Sequence, residues 1–320
     1  MLARLAENLF WAGRYAERAD DTARLVDVTY HSLLGTADAD EERSWEELLD
    51  VLHQTAAYAE RDQAMVPQQV IRFLITDRDN PGSVVSSIGH ARQNVRSVRE
   101  HVSTEVWEAI NAIELELQGR DIAADVDERP YELLSLVKQR SQTIAGAITE
   151  TMPRDDGWRF LILGRMLERA EMTCRLLSVR LGQLLARSAT PAFHDWLTVL
   201  KSASALEAYR KSYRTSMEPS HVVEFLLLSP EFPRSVFFAL TSAEHQLVRL
   251  SPDSDQTWPR RRVGRLRSEL EFSSVDELLA ADLYEFLDHV TEGVHGVAEA
   301  VAATYFRHGP AGMLHLIEAS

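Results

Sequence analysis

The sequence predicts an all-α fold: an internally duplicated helical bundle whose two pseudo-symmetric halves pack as one compact unit. Three observations point there. Apolar residues recur at helical spacing almost throughout, while strand-like alternation is scarce. The 14 glycines and 11 prolines punctuate the 320-residue chain more than they interrupt it. A block of seventeen residues occurs twice, 151 positions apart.

Each element can be justified in turn. Residues 2–34 read as one long helix, with Leu5, Leu9, Ala12, Ala16, Ala19 and Ala23 on a narrow stripe and Gly35 as the stop. The alanines allow a neighbouring helix to come close. Ser44-Trp45-Glu46-Glu47 has capping-box spacing and predicts a helix to about Arg61. Pro67 opens a short helix through Ile75. The turn over 76–83 puts Pro81 in the first turn of a helix to about His101. Further helices are predicted at 104–118, 130–150, 156–187, 192–214, 219–228, 233–250 and 275–307. A second capping box, Ser274-Val275-Asp276-Glu277, opens the last of them. Residues 251–272 read as a loop followed by a short basic run.

The repeat is the strongest organisational signal. FWAGRYAERADDTARLV (10–26) and LILGRMLERAEMTCRLL (161–177) share eight of seventeen positions, among them Gly13/Gly164, Arg14/Arg165, Glu17/Glu168 and Arg18/Arg169. Trp45 pairs with Trp196 and Tyr58 with Tyr209 at the same offset. One residue further on, VIRFLITDRDNPGSV (70–84) matches VVEFLLLSPEFPRSV (222–236). Two matching blocks in the same order predict two helical halves, 1–152 and 153–320. The offset is too long for a short-repeat solenoid.

The repeated Arg-x-x-Glu-Arg pattern sits among apolar neighbours. Leu161, Ile162 and Met172 flank it in the second copy, Phe10 and Trp11 in the first. A helix apolar all round is buried, so both clusters are expected in partly buried surroundings. Two roles are open there. The architectural one is that Arg and Glu fix helix register and cross-link the halves. The other is a site in which paired guanidinium groups hold a carboxylate, phosphate or peptide terminus. Asp20–Arg24 and Glu171–Arg175 read as i,i+4 helix support.

LAENLFWAGRYAERADDTARLVD (5–27) closely resembles the signature of the bacterial alpha-E family, an all-helical domain named for its Glu-Arg motif. NPGSVVSSIGHARQNVRSVREHVSTEVWEAIN (80–111) resembles that family's second segment, departing at Gly82 and Gln93, where ordinary drift is expected. The resemblance covers essentially the whole chain. By matching position, Glu7, Asn8, Trp11, Gly13, Arg14, Glu17 and Arg18 carry the family pattern. The resemblance also implies company: genes of this family tend to accompany ATP-grasp ligases and transglutaminase-like proteins. That suggests a part in forming or modifying amide bonds.

Composition and missing motifs narrow the rest. With 49 acidic against 34 basic residues, the formal charge of −15 argues against nucleic acid and against anionic membranes. No run reaches the length of a transmembrane helix, and Glu7 interrupts any signal-peptide core. The single cysteine, Cys174, falls on the inferred core stripe and suits a reducing cytoplasm. Di-iron bundles need two Glu-x-x-His motifs; one is present, Glu292-x-x-His295, and no metal or other cofactor is expected. Phosphate-loop and nucleophile-elbow motifs are absent. Arg92, Arg96 and Arg99 form a basic stripe, read either as a docking surface or as partners of Glu100, Glu105 or Glu108. Arg260, Arg261, Arg262, Arg265 and Arg267 form the densest basic patch, read as a solvated face with a docking surface as the alternative.

The reading that follows is a non-catalytic helical partner of an ATP-grasp-type or transglutaminase-like system, binding or presenting an amino-acid or peptide substrate. Its candidate polar network is Glu7, Asn8, Trp11, Arg14, Glu17, Arg18, Arg165, Glu168 and Arg169. One alternative is an enzyme with Glu17 or Glu168 as acid/base and Arg14, Arg18, Arg165 and Arg169 as anion clamps. The other is a purely structural assembly protein.

Overall fold

The computed structural model describes residues 2–33, 38–186, 193–213, 217–251 and 257–306. Among them the regular elements are helical, with no strand. The first half of the sequence holds α1 (Ala3–Leu33), α2 (Asp38–Val51), α3 (Thr55–Ala59), α4 (Pro67–Ile75), α5 (Val84–Ser97), α6 (Thr104–Gln118), α7 (Ile122–Glu128) and α8 (Pro130–Thr151). The second holds α9 (Asp156–Ala186), α10 (Phe193–Ser202), α11 (Leu206–Ser212), α12 (Pro219–Leu228), α13 (Val236–Leu250), α14 (Trp258–Glu271), α15 (Val275–Ala280) and α16 (Leu283–Val301). A π turn over Ala302–Phe306 follows α16.

The long helices α1 and α9 pack against each other at the centre. Around α1 lie α5 and α8, with α6 against both; around α9 lie α13 and α16, with α14 against both. One continuous apolar cluster runs through all of them. The predicted α1 stripe lines it: Leu9 and Ala23 are fully buried, and Cys174, at the repeat position of Ala23, is buried too. Ala16 departs from the stripe and is half-exposed.

The central crossing is close because both helices carry glycine there. A Cβ on Gly13 would strike the carbonyl oxygen of Leu161, and one on Gly164 the carbonyl oxygen of Phe10. Both colliding atoms are backbone and have nowhere to move. Glycine at these two positions is therefore a packing requirement.

Several predicted boundaries need correction. α2 begins at Asp38 and runs through Ser44, so Ser44 is not an N-cap. The helix predicted to Arg61 stops at Val51, and that predicted over 192–214 breaks after Ser202. Both breaks have the same cause. His53 (φ 53°) and Ser204 (φ 49°) are left-handed. Gln54 N–H donates to Leu49 O at 2.8 Å and Ala205 N–H to Leu200 O at 2.7 Å. These six-to-one bonds close Schellman caps without glycine, the residue that normally signals them.

Pro81 precedes its helix, which is capped by Ser83 accepting from Ser86 N–H at 3.2 Å. Ser235 caps α13 in the same way, from Phe238 N–H at 3.1 Å, so that helix starts at Val236. Helix α7, capped by Asp121, is an element the periodicity does not predict. Residues 258–271 form α14, opened by Pro259, where a loop was expected. The Ser274/Glu277 capping box is present, but α15 ends at Ala280 and α16 restarts at Leu283 behind an Asp282 N-cap. The stop assigned to Gly35 lies outside the described residues.

Candidate functional site

Arg14, Glu17, Glu168 and Arg169 are buried, and Arg18 and Arg165 nearly so. Their partners lie across the α1–α9 crossing. Glu168 accepts from Arg14 Nε at 2.5 Å and from Arg18 Nε at 2.6 Å. Glu17 accepts from Arg165 Nη2 at 2.9 Å and from Arg169 Nε at 2.6 Å. Each glutamate is thus held by the two arginines of the other helix. The two triplets read from sequence are regrouped into two mixed clusters.

The first cluster adds Glu171, which accepts from Arg14 Nη2 at 2.5 Å, pairs with Arg175, and meets His295 Nε2 at 2.8 Å. The second adds Asp20, which accepts from Arg24 Nη2 at 2.6 Å. Arg234, in the turn before α13, completes it. Its guanidinium reaches Asp20 at 2.5 Å, Asp21 at 2.6 Å and Glu17 at 3.6 Å. Arg24 also donates to Ser204.

The electrostatics follow from those contacts. Burial pushes the Glu17 pKa up, but Arg169, Arg165 and Arg234 outweigh it and hold the group well below the ordinary carboxylate range. Burial likewise opposes ionisation of Glu168 and Glu171, and in each Arg14 heads the groups that reverse it. Asp21 goes the other way. Burial raises its carboxyl to about 7, aided by the nearby Glu17 and Asp20 charges and opposed by Arg234.

Each cluster borders its own cavity, and no residue lines both. The first cavity, about 320 Å³, is walled by Arg14, Arg18, Glu168 and Arg175 with Trp11 and Tyr15 beside them. The second, about 250 Å³, is bordered by Glu17, Asp20, Arg24, Arg165, Arg169 and Arg234. The first falls in the size range of small-molecule sites.

Metal binding can be tested on the same atoms. Oxygens of Glu17, Asp20 and Asp21 lie within 4.8 Å of one another. Arg234 already meets all three, with Arg165 and Arg169 on Glu17. Guanidinium groups supply the positive charge a cation would bring, so this donor set fits ion pairing and not a metal.

The remaining sequence candidates are placed as follows. Trp11 lies edge-on to Phe10 and beneath the Arg14 guanidinium, 5.8 Å from its ring centre. Asn8 donates to Arg4 O of its own helix at 2.7 Å, and Glu7 is half-buried. Neither Glu7 nor Asn8 lines either of these two cavities. Arg92 donates to Asn111 at 2.8 Å, and Arg92 and Arg99 both face the Trp107 ring at 5.7 and 5.8 Å. That indole draws Arg92 and Arg99 together, and among the described residues no ion pair joins either to Glu100, Glu105 or Glu108; Arg96 is exposed. On α14, Arg262 covers Trp258 and Arg267 meets Glu244 at 2.6 Å and Glu271 at 2.7 Å. As site residues, sequence reading misses Arg234, along with Asp21, Tyr15 and His295; the one signal for Arg234 is its place inside the second repeated block.

The fold and site define a class: an all-helical protein built on two crossed helices that exchange buried Arg–Glu pairs. Residues 1–306 match the model of the Alpha-E family, a predicted alpha-helical domain with a conserved ER motif, and the chain belongs to that family. Glu17-Arg18 and Glu168-Arg169 are the Glu-Arg pairs of the repeated block. Over 331 aligned positions it is 28% identical to uncharacterized proteins of Mycobacterium bovis (strain ATCC BAA-935 / AF2122/97) and Mycobacterium tuberculosis (strains CDC 1551 / Oshkosh and ATCC 25618 / H37Rv). The match covers 94% of this chain and 36% of each relative, so the chain spans about a third of their length. No solved structure matches the chain. Among the described residues, no helix is long and apolar enough to cross a membrane.

Proposed function

We propose that this domain is a non-catalytic helical partner of an amide-bond-forming system, an ATP-grasp-type ligase or transglutaminase-like protein, and that it binds or presents the amino-acid or peptide substrate. The first cavity carries the reading. It offers fixed guanidinium and carboxylate groups beside two aromatic rings in a space suited to a small zwitterion or peptide end. Glu17 and Glu168 are ionised and doubly held by arginine, which favours binding over acid/base catalysis at neutral pH.

We further propose that 1–152 and 153–320 are halves of an ancient duplication. The exchanged ion pairs, the facing glycines, the left-handed His53 and Ser204, and the Ser83 and Ser235 caps all support it. A cytoplasmic setting accords with the lone buried thiol.

The test is to mix the purified chain with an ATP-grasp-type ligase or a transglutaminase-like protein from the same organism and follow amide formation. The chain alone should yield no product, and adding it should raise the partner's rate. Product from the chain alone, or a partner indifferent to it, would overturn the proposal.

A further inference from the structure

We propose that only the first of the two cavities takes a ligand, and that the group it receives is the carboxylate end of an amino acid or short peptide. This rests on the reading above and adds which cavity acts and which chemical group it recognises.

The argument begins where the repeated blocks differ. Pro81-Gly82-Ser83 aligns with Pro233-Arg234-Ser235, and both serines cap the next helix. Between them, Arg234 extends into the second cluster and holds its three carboxylates. Gly82 borders the first cavity and has no side chain to extend. The second cavity therefore contains a built-in cationic group, while the first is left larger, at about 320 Å³ against 250 Å³. The departure at Gly82, expected to be drift, shapes the cavity.

Charge then selects the ligand. Met172 stands at the repeat position of Asp21, so the first cluster has two buried carboxylates, Glu168 and Glu171, facing Arg14, Arg18 and Arg175. Arg14 alone bridges both carboxylates. Counted over the arginines and buried glutamates, one guanidinium is in excess, and His295, which meets Glu171 at 2.8 Å, adds no negative charge. The guanidinium donors are also under-used. Arg18 gives Nε and Nη2 to Glu168, and its Nη1 meets no acceptor among the described residues. Arg175 Nε is buried without a partner. Glu299 also borders the cavity but is exposed, where water screens it. A monoanion balances the excess, and a planar carboxylate matches guanidinium donors. Trp11 and Tyr15 supply apolar surface for the residue attached to it.

Calorimetry on the whole chain decides this, with N-acetyl-dialanine, its C-terminal amide and inorganic phosphate as probes. The acid should bind at one site and the amide at least about tenfold more weakly, since a charge-assisted hydrogen bond is lost. Gly82→Arg should weaken the acid by a similar factor. A Cβ there meets the flexible end of Gln54 at 2.8 Å, which can swing away. Ala298→Trp, filling the same cavity from α16, should do likewise; Ala145→Trp in the second cavity should leave binding intact. Equal binding of acid and amide, no binding of either, tighter binding of phosphate, or sensitivity to Ala145→Trp alone would each overturn the proposal. The acid–amide comparison on the unmodified chain holds even where a variant fails to fold. Acid-specific binding without stimulation of a ligase keeps this inference and rejects the partnership; stimulation without such binding does the reverse.

Discussion

Glu17 and Glu168 exchange partners: Arg165 and Arg169 of α9 hold the first, and Arg14 and Arg18 of α1 hold the second. Each carboxylate is neutralised by the helix it faces, at the point where Gly13 and Gly164 let the backbones meet. A one-residue slip rotates a helix by about 100° and carries all six groups out of register. The exchange therefore fixes how α1 sits on α9, and through them how the helices around each are placed.

Removing one charge from this arrangement leaves others buried and unpaired. Glu17→Gln and Glu168→Gln should each cost about 3–5 kcal/mol. Urea denaturation of the two variants checks this. A loss no larger than that of a surface ion pair would contradict the buried pairing.

The crossing itself can be probed without touching a charge. Gly13→Ala places a methyl against the Leu161 carbonyl, and Gly164→Ala places one against that of Phe10. Because the obstacle is backbone, α1 and α9 must separate. The expected cost is about 1–3 kcal/mol or more for each, against the small gain alanine normally brings to a helix. Thermal melting reads the sign directly, and a rise in Tm would count against the close approach.

Acidic pH should act through two opposed groups. Asp21 has a folded value near 7, above its ordinary 3.8, so the folded chain binds more protons between those limits. Its contribution makes stability fall as pH rises from about 4 to 7, with no further change above. Glu17 is held below its ordinary 4.5, so its stabilisation is full above that value and disappears as pH falls. Asp21→Asn should therefore melt higher than the unmodified chain at pH 8, with the difference closing towards pH 4. Identical curves at pH 8 would remove Asp21 from the account.

Cys174 gives a simple probe of the core. Burial pushes its thiol up to about 12, and its side chain has no exposed surface. It should resist a thiol reagent in the native state at pH 8 and react fully in denaturant. Rapid native labelling would show that α9 is not packed as described.

Much of this was legible in the sequence. Helices α4, α6 and α12 fall where proline and capping residues place them, because those signals act within one turn. The burial of Arg14 and Glu17 was legible too, from apolar residues on both sides of the charges. Their partners were not. Within one helix Glu17 and Arg14 are natural neighbours, and nothing in helical spacing says that a second helix competes for them. The breaks at His53 and Ser204 were equally hidden, since both occupy left-handed backbone without glycine. Arg234 lies on a turn, where no periodicity operates, and its role emerges only when α13 is set against α9.

The exchange of partners is best tested by double-mutant cycles on Glu17. One cycle pairs Glu17→Gln with Arg169→Met across the helices; the other pairs it with Arg18→Met on the same helix. The account predicts a coupling of about 1.5 kcal/mol or more in the first and close to none in the second. Coupling to Arg18 with none to Arg169 would contradict it.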